Sequence, residues 1–145
     1  MSGADTQIMT AMELGAFLDE QFPQMNSSKQ RFIVEAVSGR SVRMRMTYDE
    51  RMLRPGGTIS GPSMFALADI AMYAAVLAMI GPRPLAVTTN LSINFLRKPG
   101  PADMIGEATI LKLGKRLAVG EIALRSDGDD ELAAHATSTY SIPEE

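Results

Sequence analysis

Cysteine is absent from this chain of 145 residues, and histidine occurs once, as His135. Without cysteine there is no disulfide framework, no thiolate nucleophile and no iron–sulfur cluster. One histidine argues against a multi-histidine metal centre, and no metal is expected. An excess of basic charge is missing too. Lys and Arg number 14 against 17 Asp and Glu, a formal charge of -3, so the chain as a whole carries no electrostatic footprint for nucleic acid. The N-terminus has neither the basic flank nor the apolar core of a signal peptide. The longest apolar run, residues 64–80, is short for a membrane span and carries Asp69. The expectation is a cytoplasmic protein with no membrane and no nucleic-acid partner.

What is present is a composition 46% hydrophobic and 21% charged, which suits one folded domain over residues 1–145. Several of the methionines (Met44, Met46, Met64, Met72, Met79) fall at alternating or helical positions, as core-filling residues do. Residues 6–22 read as a short helix capped by Thr6, with Met9, Met12, Phe17 and Leu18 on its apolar face. Pro23 ends it, and Asn26, Ser27 and Ser28 form a loop. Two strands follow around a turn at Gly39. In the second, Val42, Met44 and Met46 face one way and Arg43, Arg45 and Thr47 the other, the pattern of a sheet covered on one side. That arginine face is read either as wet or as meeting another dimer.

Pro55, Gly56, Gly57, Gly61 and Pro62 break any regular element over residues 54–62. Residues 63–80 carry the strongest helix signal, with Pro62 suited to the first turn and Gly81-Pro82 as the stop. This helix is apolar nearly all round, so other structure must wrap it. The wrapping comes from strands at residues 86–95, 104–113, 117–125 and 132–142, with a tight connection at residues 127–130. Long βαβ repetition is missing, which disfavours a doubly wound sheet. The expected class is α+β: one curved antiparallel sheet around a long central helix, with an N-terminal helix.

Asp69 is the only charged residue between Arg54 and Arg83. A carboxylate among Ala66, Leu67, Ala68, Ile70 and Ala71 costs free energy unless it is paired, hydrogen-bonded or open to a cleft. It is therefore either a satisfied structural group, with Arg54 as a candidate partner, or a working carboxylate in a groove. Just upstream, a helix start directs free N–H groups at one place. Gly61 can donate to a developing oxyanion there, and Pro62 cannot.

These residues resemble a known family. The run Ser60-Gly61-Pro62-Ser63-Met64-Phe65-Ala66-Leu67-Ala68-Asp69, with residues 86–99 as a second block, is similar to the hotdog-fold acyl-CoA thioesterases, in their phenylacetate-degradation-like branch. The element order agrees over residues 30–142. The resemblance implies a dimer or tetramer with sites at the subunit interface. Asp69 would be base or nucleophile, Gly61 from the other subunit would polarise the carbonyl, and Thr88 would help orient the water. It departs from the usual His-Gly-Gly at Ser60 and Pro62, and Arg54 stands where some relatives carry asparagine. Ser60 keeps hydrogen-bonding capacity near the loop. Arg54 either pairs with Asp69 or binds an anionic acyl group. Arg97 and Lys98, ahead of Lys112, Lys115 and Arg116, are the candidates for coenzyme A phosphates, and Tyr73 either lines the acyl pocket or simply packs. His135 reads as a satisfied sheet-face residue. No cofactor is implied, because coenzyme A arrives with the substrate. The competing reading is a noncatalytic hotdog protein that binds an acyl thioester or serves a structural role.

Overall fold

Alternation along the strands and apolarity around the central helix decide the architecture. A computed structural model describes residues 7–26 and 29–144. The elements run α1 (Ala11–Gln21), β1 (Phe32–Ser38), β2 (Ser41–Met46), β3 (Leu53–Arg54), β4 (Thr58–Ile59), α2 (Gly61–Ile80), β5 (Val87–Phe95), β6 (Met104–Leu113), β7 (Leu117–Ser126) and β8 (Ala134–Ser141). Six strands form one antiparallel sheet in the order β1-β2-β6-β7-β8-β5. All six also contact α2. A flat sheet of six strands is about 24 Å wide at its ~4.8 Å spacing, twice the ~10–12 Å diameter of one helix. The sheet must therefore curl around α2, and the expected hotdog arrangement is the one that forms.

Every residue from Ala71 to Met79 is buried, and the core is closed by Val42, Met44 and Met46 of β2 with Ile110, Ile122 and Leu124. Arg43 and Arg45 point outward, where both pair with Glu35 and Arg45 also reaches Asp103 and Asp127. α2 is the one described helix long and apolar enough to cross a membrane, and 67% of its most apolar stretch lies buried inside the fold.

The close fit of α2 is visible at Gly120 of β7. A Cβ added there would lie 2.7 Å from Met72 Sδ and 2.8 Å from the Thr109 carbonyl oxygen. The side chain can yield, but the backbone cannot. Gly120→Ala is therefore expected to cost about 1–3 kcal/mol of stability through overpacking, read as a lower urea midpoint. An unchanged midpoint would mean that α2 and β6 do not crowd β7 in this way.

Several boundaries differ from those expected. α1 begins at Ala11, capped by Thr10, whose side chain accepts from the Glu13 N–H while Glu13 accepts from the Thr10 N–H. Thr6, Ser27 and Ser28 lie outside the described residues. Leu14 and Leu18 are the buried face of α1, whereas Met12 is 84% exposed. Residues 54–62 are not wholly irregular. β3 and β4 pair as a minimal hairpin across Gly56 and Gly57, both at positive φ. α2 starts at Gly61, two residues earlier than expected, with Ser60 as its N-cap.

Candidate active site

Asp69 sits half-buried in the middle of α2. β5 and β8 pass beside it, and their register sets Thr88 directly across from Tyr140. The register shifts immediately afterwards, between Thr88 and Asn90. Opposed residues of an antiparallel pair face the same side, and here both hydroxyls meet the same carboxylate. Thr88 Oγ1 donates to Asp69 Oδ1 at 2.6 Å, and the Tyr140 hydroxyl lies 2.9 Å from that oxygen. Asp69 Oδ2 has no hydrogen-bond partner among the described residues, and no arginine or lysine pairs with this carboxylate. The expectation of an Arg54–Asp69 pair does not hold within the chain: Arg54 lies elsewhere, exposed.

Beside Asp69 opens a cavity of about 570 Å³, lined among others by Phe22, Ile70, Tyr73, Leu85, Thr88 and Tyr140. Tyr73 both packs and lines. Its ring stacks on Tyr140 and meets Phe22 edge-on, while its hydroxyl donates to the Pro84 carbonyl at 2.8 Å. Only the ring of Tyr73 is left to face a ligand. Burial raises the pKa of both tyrosines. For Tyr140 burial outweighs the opposing Thr88 hydrogen bond, and the adjacent Asp69 charge adds to the rise, so this phenol stays a proton donor.

The helix start forms a second, separate half. Ser60 Oγ accepts from the Ser63 N–H at 3.3 Å and donates to Ser63 Oγ at 3.0 Å, and the Ser60 carbonyl takes the Met64 N–H. Ser60 is thus spent on capping. Pro62 has no N–H, which leaves Gly61 as the one first-turn amide without a partner among the described residues. Gly61 lines a cavity of about 430 Å³ with Arg54, Met64, Phe95, Arg97 and Lys98. A Cβ at Gly61 would touch the Phe95 ring at 3.3 Å. Of the cations here, Arg97 pairs with Glu131 at 2.6 Å, while Arg54 and Lys98 have no ion-pair partner among the described residues. In the alternative cluster, Lys115 and Arg116 gather with Arg83 around a cavity that shares no lining residue with either half, and Arg116 pairs with Glu144. His135 faces Glu121 at 3.7 Å on the outer side of the sheet.

Within one chain the two halves do not meet. Gly61 and Asp69 are eight residues apart on one helix, about 12 Å along its axis at 1.5 Å per residue, and their cavities share no residue. Both cavities border β5, an edge strand of the sheet in which no residue is buried. Val87 and Phe95 are 55% and 50% exposed on it. Thr88 and Asp69, both named from the sequence for one site, are in contact, whereas the gathering of Gly61 with Arg54, Arg97 and Lys98 around one cavity is a grouping the sequence reading does not make. Tyr140 was missed. No local pattern marks it, because the alternation of β8 shows that it points inward but not which residue of α2 it meets.

Residues 56–133 match the family model described as "Thioesterase superfamily". In solved structures, the chain is similar to a "putative thioesterase" of Silicibacter sp. TM1040, with 48% identity, TM-score 0.86 and coverage of 97% of this chain and 96% of that one. A phenylacetic acid degradation-related protein of Ralstonia eutropha JMP134 shares 25% identity at TM-score 0.71, over 77% and 84% of the two chains. Among curated proteins, "Putative esterase Ta0293" of Thermoplasma acidophilum is 26% identical over 77% of this chain and 83% of its own length.

Proposed function

This chain belongs to the thioesterase superfamily and hydrolyses thioesters, and from that premise we propose that its substrate is an acyl thioester of coenzyme A, cleaved at a site shared by two copies of the chain. The observation that carries the reading is Asp69: a half-buried carboxylate beside a cavity, held at one oxygen by Thr88 and uncommitted at the other.

The shared site follows from β5. A nine-residue edge with no proline or lysine in it invites pairing with another strand. Two copies of β5 paired antiparallel about an axis near Leu91 and Ser92 would bring Thr88 opposite the partner's Phe95. Phe95 lies against Gly61 in its own chain. The carboxylate half of one copy then faces the amide half of the other. A homodimer is the smallest assembly that completes the site, and two dimers meeting elsewhere would make a tetramer.

In this arrangement the thioester carbonyl oxygen accepts the Gly61 N–H of one copy. Asp69 of the other removes a proton from a water oriented with the help of Thr88. The water oxygen bonds to the carbonyl carbon, and the negative charge on the tetrahedral oxygen rests on the amide. When the carbonyl re-forms, the C–S bond breaks and its electron pair leaves on sulfur. The proton held by Asp69 passes to the thiolate, giving the acid and free coenzyme A. Phe22, Ile70 and the Tyr73 ring would contact the acyl group.

Coenzyme A recognition would fall to Arg54 and Lys98, the cations at the amide half that pair with no acid among the described residues, with Glu131 competing against phosphate for Arg97. An acyl-CoA and the same acyl group on N-acetylcysteamine, which lacks phosphates, separate this claim from general thioester hydrolysis. The acyl-CoA is expected to have a kcat/KM at least about tenfold higher. Arg54→Gln combined with Lys98→Gln should shrink that advantage mainly through KM. Equal turnover of the two thioesters by the parent protein would overturn the coenzyme A assignment and leave the hydrolase standing.

A further inference from the structure

We propose that Tyr140 is a positioning residue for Asp69, fixing which carboxylate oxygen faces the reacting carbonyl; this rests on the role proposed above for Asp69. The phenolic oxygen lies 2.9 Å from Asp69 Oδ1 and 3.1 Å from the main-chain oxygen of the same residue. One hydroxyl therefore bridges the side chain and the backbone of Asp69. Thr88 donates to Oδ1 from the facing strand. Two donors on Oδ1 leave Oδ2 as the open oxygen and oppose rotation of the carboxylate about its own bonds.

Tyr140 is itself held firmly. It is 3% exposed, it belongs to the β8 ladder between β5 and β7, and its ring stacks on Tyr73, whose own hydroxyl is tied to Pro84. Thr88 stands beside a register shift of β5 and has no stacked ring to hold it, a less rigid anchor. The buried phenol is thus the fixed support and the threonine the adjustable one. A carboxylate that loses the fixed support still binds beside substrate but spends less time correctly aimed, which lowers kcat rather than raising KM.

Tyr140→Phe keeps the ring and removes only the hydroxyl. It is expected to lower kcat about tenfold to a hundredfold, with KM within about twofold of the parent and a melting midpoint close to it. Because Tyr140 acts through Asp69, the same substitution in an Asp69→Asn background should leave the residual rate unchanged. Parent-like kcat in Tyr140→Phe, or an equal loss in both backgrounds, would overturn the inference. If Asp69→Asn itself retained full turnover, the proposed role of Asp69 would fall first, so the two failures are distinct. Should Tyr140→Phe not fold, Tyr140→3-fluorotyrosine preserves the packing and changes the donor strength of the hydroxyl. A changed kcat at unchanged melting midpoint supports the assignment, and an unchanged kcat refutes it.

Discussion

Asp69→Asn is expected to lower kcat by roughly 10²–10⁴, with KM within a few-fold of the parent and with no loss of stability. The substitution preserves shape. An amide oxygen at the Oδ1 position can still accept from Thr88 and lie near the Tyr140 hydroxyl, so the local hydrogen bonds survive. What disappears is the basic electron pair at Oδ2, which no other described side chain at the cavity replaces. Folding should gain if anything, because a charge set between Ala68 and Ile70 on an apolar helix is removed. Release of coenzyme A from a good acyl-CoA substrate gives the rate, and a thermal melt gives the stability. A variant that turns over like the parent would show that Asp69 is a structural carboxylate held by two hydroxyls. Water attack from another direction would then have to be sought.

The parts of this site that could be read from the sequence are those whose signal is local. Asp69 stands out because no other charge lies between Arg54 and Arg83. Gly61 stands out because a neighbouring proline removes a competing donor. The alternation of Val42, Met44 and Met46 with Arg43 and Arg45 predicts which side of β2 is buried, and burial follows it. Other local signals sit in the same sequence. Thr10 and Glu13 have the spacing of a capping box, and they, not Thr6, start α1. β3 and β4 are two residues each, too short for any periodicity, and only the positive φ of Gly56 and Gly57 makes their turn. Ser60 looked available for a ligand because a cap is invisible until the helix start is placed. Tyr140 was beyond reach for a different reason. It meets Asp69 across 71 positions of sequence, and that meeting depends on β8 lying between β5 and β7, which is topology rather than pattern. β5 was legible as a strand, yet its lack of any buried residue is a property of its place at the edge.

The strongest consequence of that edge is a rescue. Gly61→Pro removes the proposed oxyanion donor: proline suits the first position of a helix and the preceding Ser60 already has the extended ψ of 153° that proline requires, while the strain of a Cβ placed before Pro62 is read by a thermal melt of the variant. The added ring meets the Phe95 ring, 3.3 Å from a Cβ at this position, a contact that a small shift of that side chain relieves. Loss of one such donor is expected to cost roughly 10²–10³ in kcat, so Gly61→Pro and Asp69→Asn each give a nearly inactive assembly. Co-expressed under two different tags and purified through both, they form a mixed dimer. If the site is shared across β5, one of its two sites receives the intact Asp69 of the Gly61→Pro chain and the intact Gly61 of the Asp69→Asn chain. The other site receives both lesions. Activity should return to about half that of the parent dimer, a recovery of at least an order of magnitude over either variant alone. If amide and carboxylate instead served the same carbonyl within one chain, every site in the mixture would carry a lesion and no activity would return. The 12 Å that α2 sets between the two residues argues for the first outcome, because a developing oxyanion within hydrogen-bond reach of the amide would be too far from the carboxylate for water to bridge.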